Sequence, residues 1–514
     1  MANLINNIAK TPNNNAANHP LADDVKAVNG HHNRDLFEAK KKIYPQRTSG
    51  NFRNFKWVSM IILLGFYYIG PWLRWDRGPT SPDQAILIDF AHSRFYFFFI
   101  EIWPQELYYI AGLLILSAFA LFLVTASVGR AWCGYACPQT VWVDLFIWVE
   151  RLLEGDRNAR MRVDNSKWTL RKFILRFAKH SIWLTIAVLT GGAWIFYFVD
   201  APTLFWQLLS FDAPFVAYGT ILFFTLATYF FGGHLREQVC IYMCPWPRIQ
   251  AVMMDVDSLV VTYHEGRGEP RMSVKKAIKA QAANQPTGDC VDCNMCVVVC
   301  PMGIDIRDGI QLECITCGLC IDACNDVMDK VGKPRGLIAY DTINNEQIRK
   351  EKPNATQNDG IRWPWHNVRN YVYLGLFLAV GFIMLYSLAT RARFSISALH
   401  DRNPLYVQLS NGAIRNNFEI KLLNMQGKAR RFVLYTQGLK NVTFSTSTLK
   451  DNFSEVVFVT IEPDRVKSIR AFVTVQKNSL PDDRQQDFKI IAQEINGPEQ
   501  DIYAAKFHTP KKTK

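Results

Sequence analysis

Cysteine is missing from residues 1–132 and again from residues 325–514, so all twelve cysteines of this 514-residue chain fall in one central stretch. A disulfide scaffold spreads its cysteines over the domain it staples, which excludes that role here; crowded thiols point to metal ligation. No nucleotide-binding loop and no hydrolytic triad is spelled anywhere, so no cofactor chemistry beyond metals is expected. The first apolar stretch begins near Trp57, so no secretory signal is expected at the N-terminus. Residues 200–213 contain neither Lys nor Arg, an absence that bears on membrane orientation.

What is present is unevenly distributed. The apolar content of 49% is concentrated in blocks, which is the signature of membrane spans rather than of one large core. The formal charge of +13 could serve nucleic acid, but the excess flanks the apolar blocks, where it sets membrane orientation instead. Nucleic acid is therefore not expected as a partner, whereas membrane lipid is. A bilayer core of about 30 Å needs about 20 helical residues. Five segments qualify, roughly 57–73, 106–126, 179–199, 214–232 and 371–389. The aromatic stretch at 94–103 is short and interrupted by charge, so it is placed at an interface; the alternative is an extension of the second span.

Lys and Arg number nine up to residue 56, nine in 127–178 and sixteen in 233–370, against three in 74–104. Basic loops stay cytoplasmic. The expected organisation is a flexible cytoplasmic tail over 1–50, four spans within 51–232, a cytoplasmic segment over 233–370, a fifth span over 371–390 and an external domain over 391–514. The tail is rich in Asn, Ala and charge without periodicity and cannot bury enough apolar surface to fold alone. From about residue 395 the pattern switches to period two, in the runs starting at Leu405, Phe418, Arg431, Val456, Ile469 and Phe488, which predicts a β-sandwich. A partner-docking module and a purely structural module are both compatible with it.

The strongest signal is "CVDCNMCVVVCP" at 290–301 followed by "CITCGLCIDAC" at 314–324. In each run three closely spaced thiolates face one cubane while the fourth reaches to the other. Cys290, Cys293 and Cys296 with Cys324 are thus predicted to hold one [4Fe-4S] cluster, and Cys314, Cys317 and Cys320 with Cys300 a second. Zinc ribbons also use C-x-x-C pairs, but eight cysteines at doubled ferredoxin spacing favour iron. The runs differ in one place: Pro301 follows the fourth cysteine of the first, and Asn325 that of the second.

Two further pairs, Cys133 with Cys137 and Cys240 with Cys244, each precede a proline and follow an apolar run. Helical spacing would align each pair on one face, and soft thiolates suit Cu(I), zinc or another iron–sulfur centre. The plainer reading is buried cysteines packing as small hydrophobes. His180, His234 and His264 fall near the same predicted membrane face, where each is either an interfacial residue or an aid to a metal or quinone site. Met253 and Met254 read as packing.

The pattern "GRAWCGYACPQT", the second C-x-x-x-C-P, the paired ferredoxin runs, the spans and the terminal sandwich together resemble the cytochrome oxidase accessory family called CcoG, FixG or RdxA, over nearly the whole chain beyond the tail. The resemblance implies a multi-pass protein of the bacterial inner membrane with an immunoglobulin-like C-terminal domain in the periplasm. It implies iron–sulfur electron transfer assisting assembly of a cbb-type oxidase by reduction of Cu(II) to Cu(I), hence a cupric reductase activity. The implied cofactors are two [4Fe-4S] clusters, with copper as a candidate at the C-x-x-x-C-P cysteines. The implied partners are oxidase assembly factors or copper chaperones, besides an electron donor the sequence does not name. A quinol dehydrogenase subunit similar to the family called NapH is the competing reading, and a scaffold with purely structural clusters a third.

Overall fold

The computed structural model describes residues 27, 42–79, 81–352, 361, 367–446, 456–481 and 483–510. Most of the expected tail, residues 1–50, lies outside them. The chain divides into two compact units, one of Met1–Leu73, Ile86–Tyr96 and Glu101–Phe382 and the other of Arg74–Ala85, Phe97–Ile100 and Ile383–Lys514.

Among the described residues, four helices are long and apolar enough to cross a membrane: Pro104–Val128, Leu170–Ile195, Phe215–Leu235 and Val368–Thr390. The first expected span is also a helix, Asn51–Ile69, but its opening turns carry buried Arg53 and Lys56, which leaves a shorter apolar stretch than in the other four. Asp144 accepts two hydrogen bonds from the Arg53 guanidinium, at 2.9 and 2.8 Å, so this charged end is anchored in protein. The Leu170–Ile195 helix starts nine residues before the expected span, because Thr169 caps its first turn and the helix runs through Arg171, Lys172 and Arg176. It packs closely on Phe215–Leu235: a Cβ on Gly191 would fall 2.7 Å from the Ile221 carbonyl oxygen. From Tyr229 to Leu235 the second helix widens to an i→i+5 turn, and Val239–Met243 does the same. Strand β1 (Ile86–Asp89) precedes the aromatic stretch and strands β2 (Arg94–Phe97) and β3 (Ile100–Ile102) occupy it, so it does not extend the second span.

Between the last two membrane helices the chain builds an insert. Strands β4 (Val260–Tyr263) and β5 (Ile338–Asp341) pair antiparallel, and the cysteine runs lie between them in sequence. The first run leads into the short helix Met295–Val298 and the second into Leu319–Lys330. This explains the Pro301/Asn325 difference. The first helix has ended before Pro301, whereas Asn325 lies inside a twelve-residue helix that proline would break. Asn325 instead accepts a hydrogen bond from the Gly336 amide at 3.0 Å.

The second unit is a two-sheet sandwich. One sheet orders β10 (Val442–Thr446), β12 (Arg465–Val475), β8 (Ile414–Asn424) and β6 (Phe394–His400), with β7 (Val407–Gln408) also paired to β8. The other orders β11 (Val456–Ile461), β9 (Arg430–Gln437), β13 (Gln485–Glu494) and β14 (Gln500–His508). Alternate residues turn inward, so that Phe394, Phe418, Phe432, Phe444, Phe488 and Phe507 fill the core. All six predicted runs fall on strands, the Leu405 run only at Val407–Gln408.

Candidate metal centre

The two cysteine runs share their left-handed positions. Asp292 and Asn294 have positive φ (51° and 55°), as do their counterparts Thr316 and Gly318 (48° and 71°). Left-handed residues in such loops turn successive backbone N–H groups toward one concavity, the kind of nest that holds iron–sulfur anions. Arg307 fixes the first loop, donating to Asp292 at 2.8 Å, to Asn294 at 2.6 Å and to Asp305 at 2.7 Å. Thr316 in the second loop has its carbonyl bound by the Tyr340 hydroxyl.

One cavity is walled by Cys290, Cys293, Cys296 and Cys324 together with Tyr263 and Arg307. Three of these cysteines come from the first run and one from the helix that ends the second. Cys300, Cys314, Cys317 and Cys320 group around Val299, Met302, Ile304 and Leu319, with Cys314 and Cys320 also packed against the core that holds Cys290, Cys296 and Cys324. Burial pushes the Cys300 thiol up to about 11 and Cys314 to about 12, and neighbouring thiols add to the effect in both. Burial does the same to Cys324, to about 12, with Cys293 and Cys290 contributing. Buried thiols pressed together resist ionisation unless cations compensate, and iron supplies that charge. The donor set and the nests therefore fit iron–sulfur clusters.

The "GRAWCGYACPQT" segment is built around the second run. Arg130 donates to the carbonyl of Leu312 and, at 2.7 Å, to that of Pro247 just beyond the second C-x-x-x-C-P. A Cβ on Gly134 would fall 2.7 Å from the Ile315 carbonyl oxygen, so only glycine allows the approach. The Tyr135 hydroxyl donates to the Cys317 carbonyl at 2.9 Å. Gln139 donates to the carbonyls of Phe231 and Arg236 at 2.8 and 3.1 Å, tying the first motif to the turn before the second.

The four motif cysteines feel one another's charge, though not through the expected helical pairing. Cys133 lies in the short helix Ala131–Tyr135, but Cys137 is extended (ψ 127°) and caps the next helix, Pro138–Glu154. Cys240 sits in the wide turn Val239–Met243, and Cys244 is again extended (ψ 122°). The prolines exclude helical backbone from the residue before them, so neither pair is a helical i, i+4 pair. Tertiary packing brings Cys133 and Cys240 against one hydrophobic cluster instead. Burial raises Cys133 to about 12, with Cys137 and Cys244 adding to it, and raises Cys240 to about 12, with Cys137, Cys133 and Cys244 adding. The Cys133 thiol also meets Gln250 Oε1 at 3.2 Å. Cys133 and Cys240 pack against the hydrophobic cluster containing Cys317. Among the described residues, no three His, Cys, Asp or Glu side chains close on one point as ligands of a single ion.

Of the histidines, buried His264 pairs with Glu346. His180 and His234 stack on each other, ring centroids 5.9 Å apart, and His180 shares a 2.9 Å hydrogen bond with the Tyr229 hydroxyl. Met253 and Met254 sit partly buried at the end of the Trp246–Met253 helix. Sequence reasoning missed Arg307, Arg130 and Gln139; only the last two stand within a quoted motif.

Membrane helices, twin thiol-lined loops and a terminal sandwich define a membrane-bound iron–sulfur electron-transfer protein. Family models describe residues 235–343 as a 4Fe-4S dicluster domain, 110–155 as a 4Fe-4S binding domain and 384–510 as "IG-like fold at C-terminal of FixG, putative oxidoreductase". The chain is 51% identical over 508 residues to the nitrogen fixation protein FixG of Rhizobium meliloti, covering 95% of this chain and 96% of that one. It is 53% identical to protein RdxB of Cereibacter sphaeroides (77% and 82% covered) and 45% identical to RdxA of the same organism (90% and 96%). The chain belongs to the FixG/RdxA family.

Proposed function

We propose that the chain holds two [4Fe-4S] clusters and passes single electrons to copper, reducing Cu(II) to Cu(I) at Cys133, Cys137, Cys240 and Cys244 for assembly of a cbb-type oxidase. Cys290, Cys293, Cys296 and Cys324 hold one cluster and Cys300, Cys314, Cys317 and Cys320 the other. When bound, the clusters supply one-electron transfer. The observation carrying this reading is the seat of the membrane-edge thiols against the second run, where Gly134 abuts Ile315 and Cys133 packs with Cys317. The role of the chain's own residues is to hold soft thiolates that prefer Cu(I), which raises the copper potential and favours reduction. Oxidase assembly factors or copper chaperones would take the product. The insert lies on the cytoplasmic side of the inner membrane and the sandwich in the periplasm.

Exchange of all four motif cysteines for Ala should leave the insert clusters intact, abolish Cu(I) binding and slow Cu(II) reduction. Copper reduction at the native rate by a folded variant would place the copper site elsewhere. A second occupant of the same thiols is favoured by the 4Fe-4S binding domain match over residues 110–155, which spans Cys133 and Cys137. Anaerobically purified protein separates the two: about eight irons for two cubanes, about twelve for three.

A further inference from the structure

One cavity in the first unit is not used by the thiol sites. It has a volume of about 270 Å³ and is walled by Glu150, Lys179, His180, Trp183, His234 and Arg236, among others. It lies where the apolar part of Leu170–Ile195 begins and Phe215–Leu235 ends, the level at which a bilayer core meets its headgroups. The wide turn Tyr229–Leu235 opens it. Gly233 lies within 3.0 Å, measured from an ideal Cβ, of the Trp183 ring, so this wall accepts no larger residue without displacing the indole. Wide turns of this kind recur at functional sites.

The chemistry of the walls selects a ligand class. The cations share carboxylates within the protein: Glu150 is held by Arg236 at 2.7 Å, Arg160 at 3.2 Å and Lys179 at 3.6 Å, Glu154 by Lys179 at 2.8 Å and Arg176 at 3.7 Å, and Asp164 by Lys42 at 2.8 Å and by Arg176. Trp183, stacked on Phe146 (interplanar angle 13°), presents an aromatic wall, and the stacked imidazoles of His180 and His234 present polar nitrogens beside it. The volume is at the small end of ligand pockets, which start near about 300 Å³, and admits a single substituted ring rather than a whole lipid. A covalent path of six residues leads from His234 to Cys240, and Gln139 ties the intervening turn to Cys137 by hydrogen bonds to Phe231 and Arg236.

We infer that this cavity binds the head group of a membrane quinol and is where electrons enter the protein. The inference rests on the electron-transfer reading above and supplies its donor. On oxidation the quinol becomes quinone by losing two electrons and two protons. The protons pass to the imidazoles of His180 and His234, and the one-electron acceptors are the iron–sulfur clusters, two of which match the two electrons of one quinol.

The test uses the full-length protein in lipid nanodiscs, with decylubiquinone as the binding probe and decylubiquinol as the reductant. Wild type should bind one decylubiquinone saturably, and decylubiquinol should bleach the cluster absorbance without copper present. His180→Phe and His234→Phe keep a ring in place and remove its polar nitrogens. Each should weaken binding about tenfold, as expected for loss of one good hydrogen bond, with iron and sulfide content unchanged. Gly233→Ala, which crowds Trp183, gives an independent check and should also weaken binding. Absence of saturable binding, binding unchanged in both histidine variants, or inorganic phosphate occupying the cavity in place of the quinone would overturn the inference. Copper reduction driven by dithionite separates the two readings. If it persists while quinone binding fails, only the donor site is lost; if it fails while quinone binds, the copper reading falls instead.

Discussion

Arg307 and Arg130 each hold one cysteine loop, and neither belongs to any ligand pattern. Arg307 clamps the two left-handed residues of the first run, and Arg130 reaches from a membrane helix end to the second. The thiols were legible because their spacing is their chemistry; a lone arginine has no period, and its partners are backbone carbonyls or loop carboxamides that only folding brings near. Cys300 is the sharpest test of how thiols are shared. Exchange for Ser should cost the centre of Cys314, Cys317 and Cys320 far more than the other, seen as selective loss of one of two electron paramagnetic signals. Equal loss of both would mean that the loops fold as one unit. Glu150 allows a pH test. Burial alone would raise its pKa, but Arg236, by charge and hydrogen bond, and Lys179 bring it down from 4.5 to about 2. A depressed carboxyl stabilises the fold above its unfolded pKa and loses that contribution as pH falls toward the folded value. Stability should therefore drop between pH 4.5 and 2 by roughly 3 kcal/mol from this group. Acid unfolding followed by circular dichroism should show a shallower dependence in Glu150→Gln.

At the scale of elements, the period-two runs and the long apolar blocks were plain in the sequence, because both rest on burial pattern. Three strands of the sandwich were not: Phe394–His400 follows directly on a membrane helix, Val442–Thr446 is short, and Gln500–His508 offers small or charged residues at many positions. The C-x-x-x-C spacing suggested helical alignment, and the prolines behind it overrode the helix. Nothing in the composition announces the wide turns at Tyr229 and Val239. The start of the Asn51–Ile69 helix was equally hidden. Its own N-terminal residue, Gly50, has no side chain to offer, and Asp322 from the second cluster helix accepts instead from the Arg53 amide at 2.8 Å and the Phe52 amide at 3.3 Å. Asp322→Ala should cost about 1 kcal/mol, the usual worth of a cap. Hydrogen exchange should quicken at Phe52 and Arg53 before it does in the sandwich.

For the whole molecule, the count of crossings decides which side the sandwich occupies. Four crossings return the chain to its starting side and five do not, so Asn51–Ile69 is the deciding helix. Reporter fusions at positions 150 and 330 should read cytoplasmic and a fusion at 440 periplasmic, as the Lys and Arg bias of the loops requires. A cytoplasmic signal at 440 together with periplasmic signals at 150 and 330 would mean that the first helix lies against the bilayer without crossing it.

The thiol-lined cavity of Cys290, Cys293, Cys296 and Cys324 also constrains biosynthesis. A ribosome releases its first three walls before the fourth, and in that interval the nascent chain displays bare, closely spaced thiols. An iron donor acting during translation would meet an open cup, prone to oxidation or to capture of the wrong metal. Maturation after the chain has left the ribosome meets a closed one, so limited iron supply should yield empty and fully loaded molecules rather than half-loaded ones.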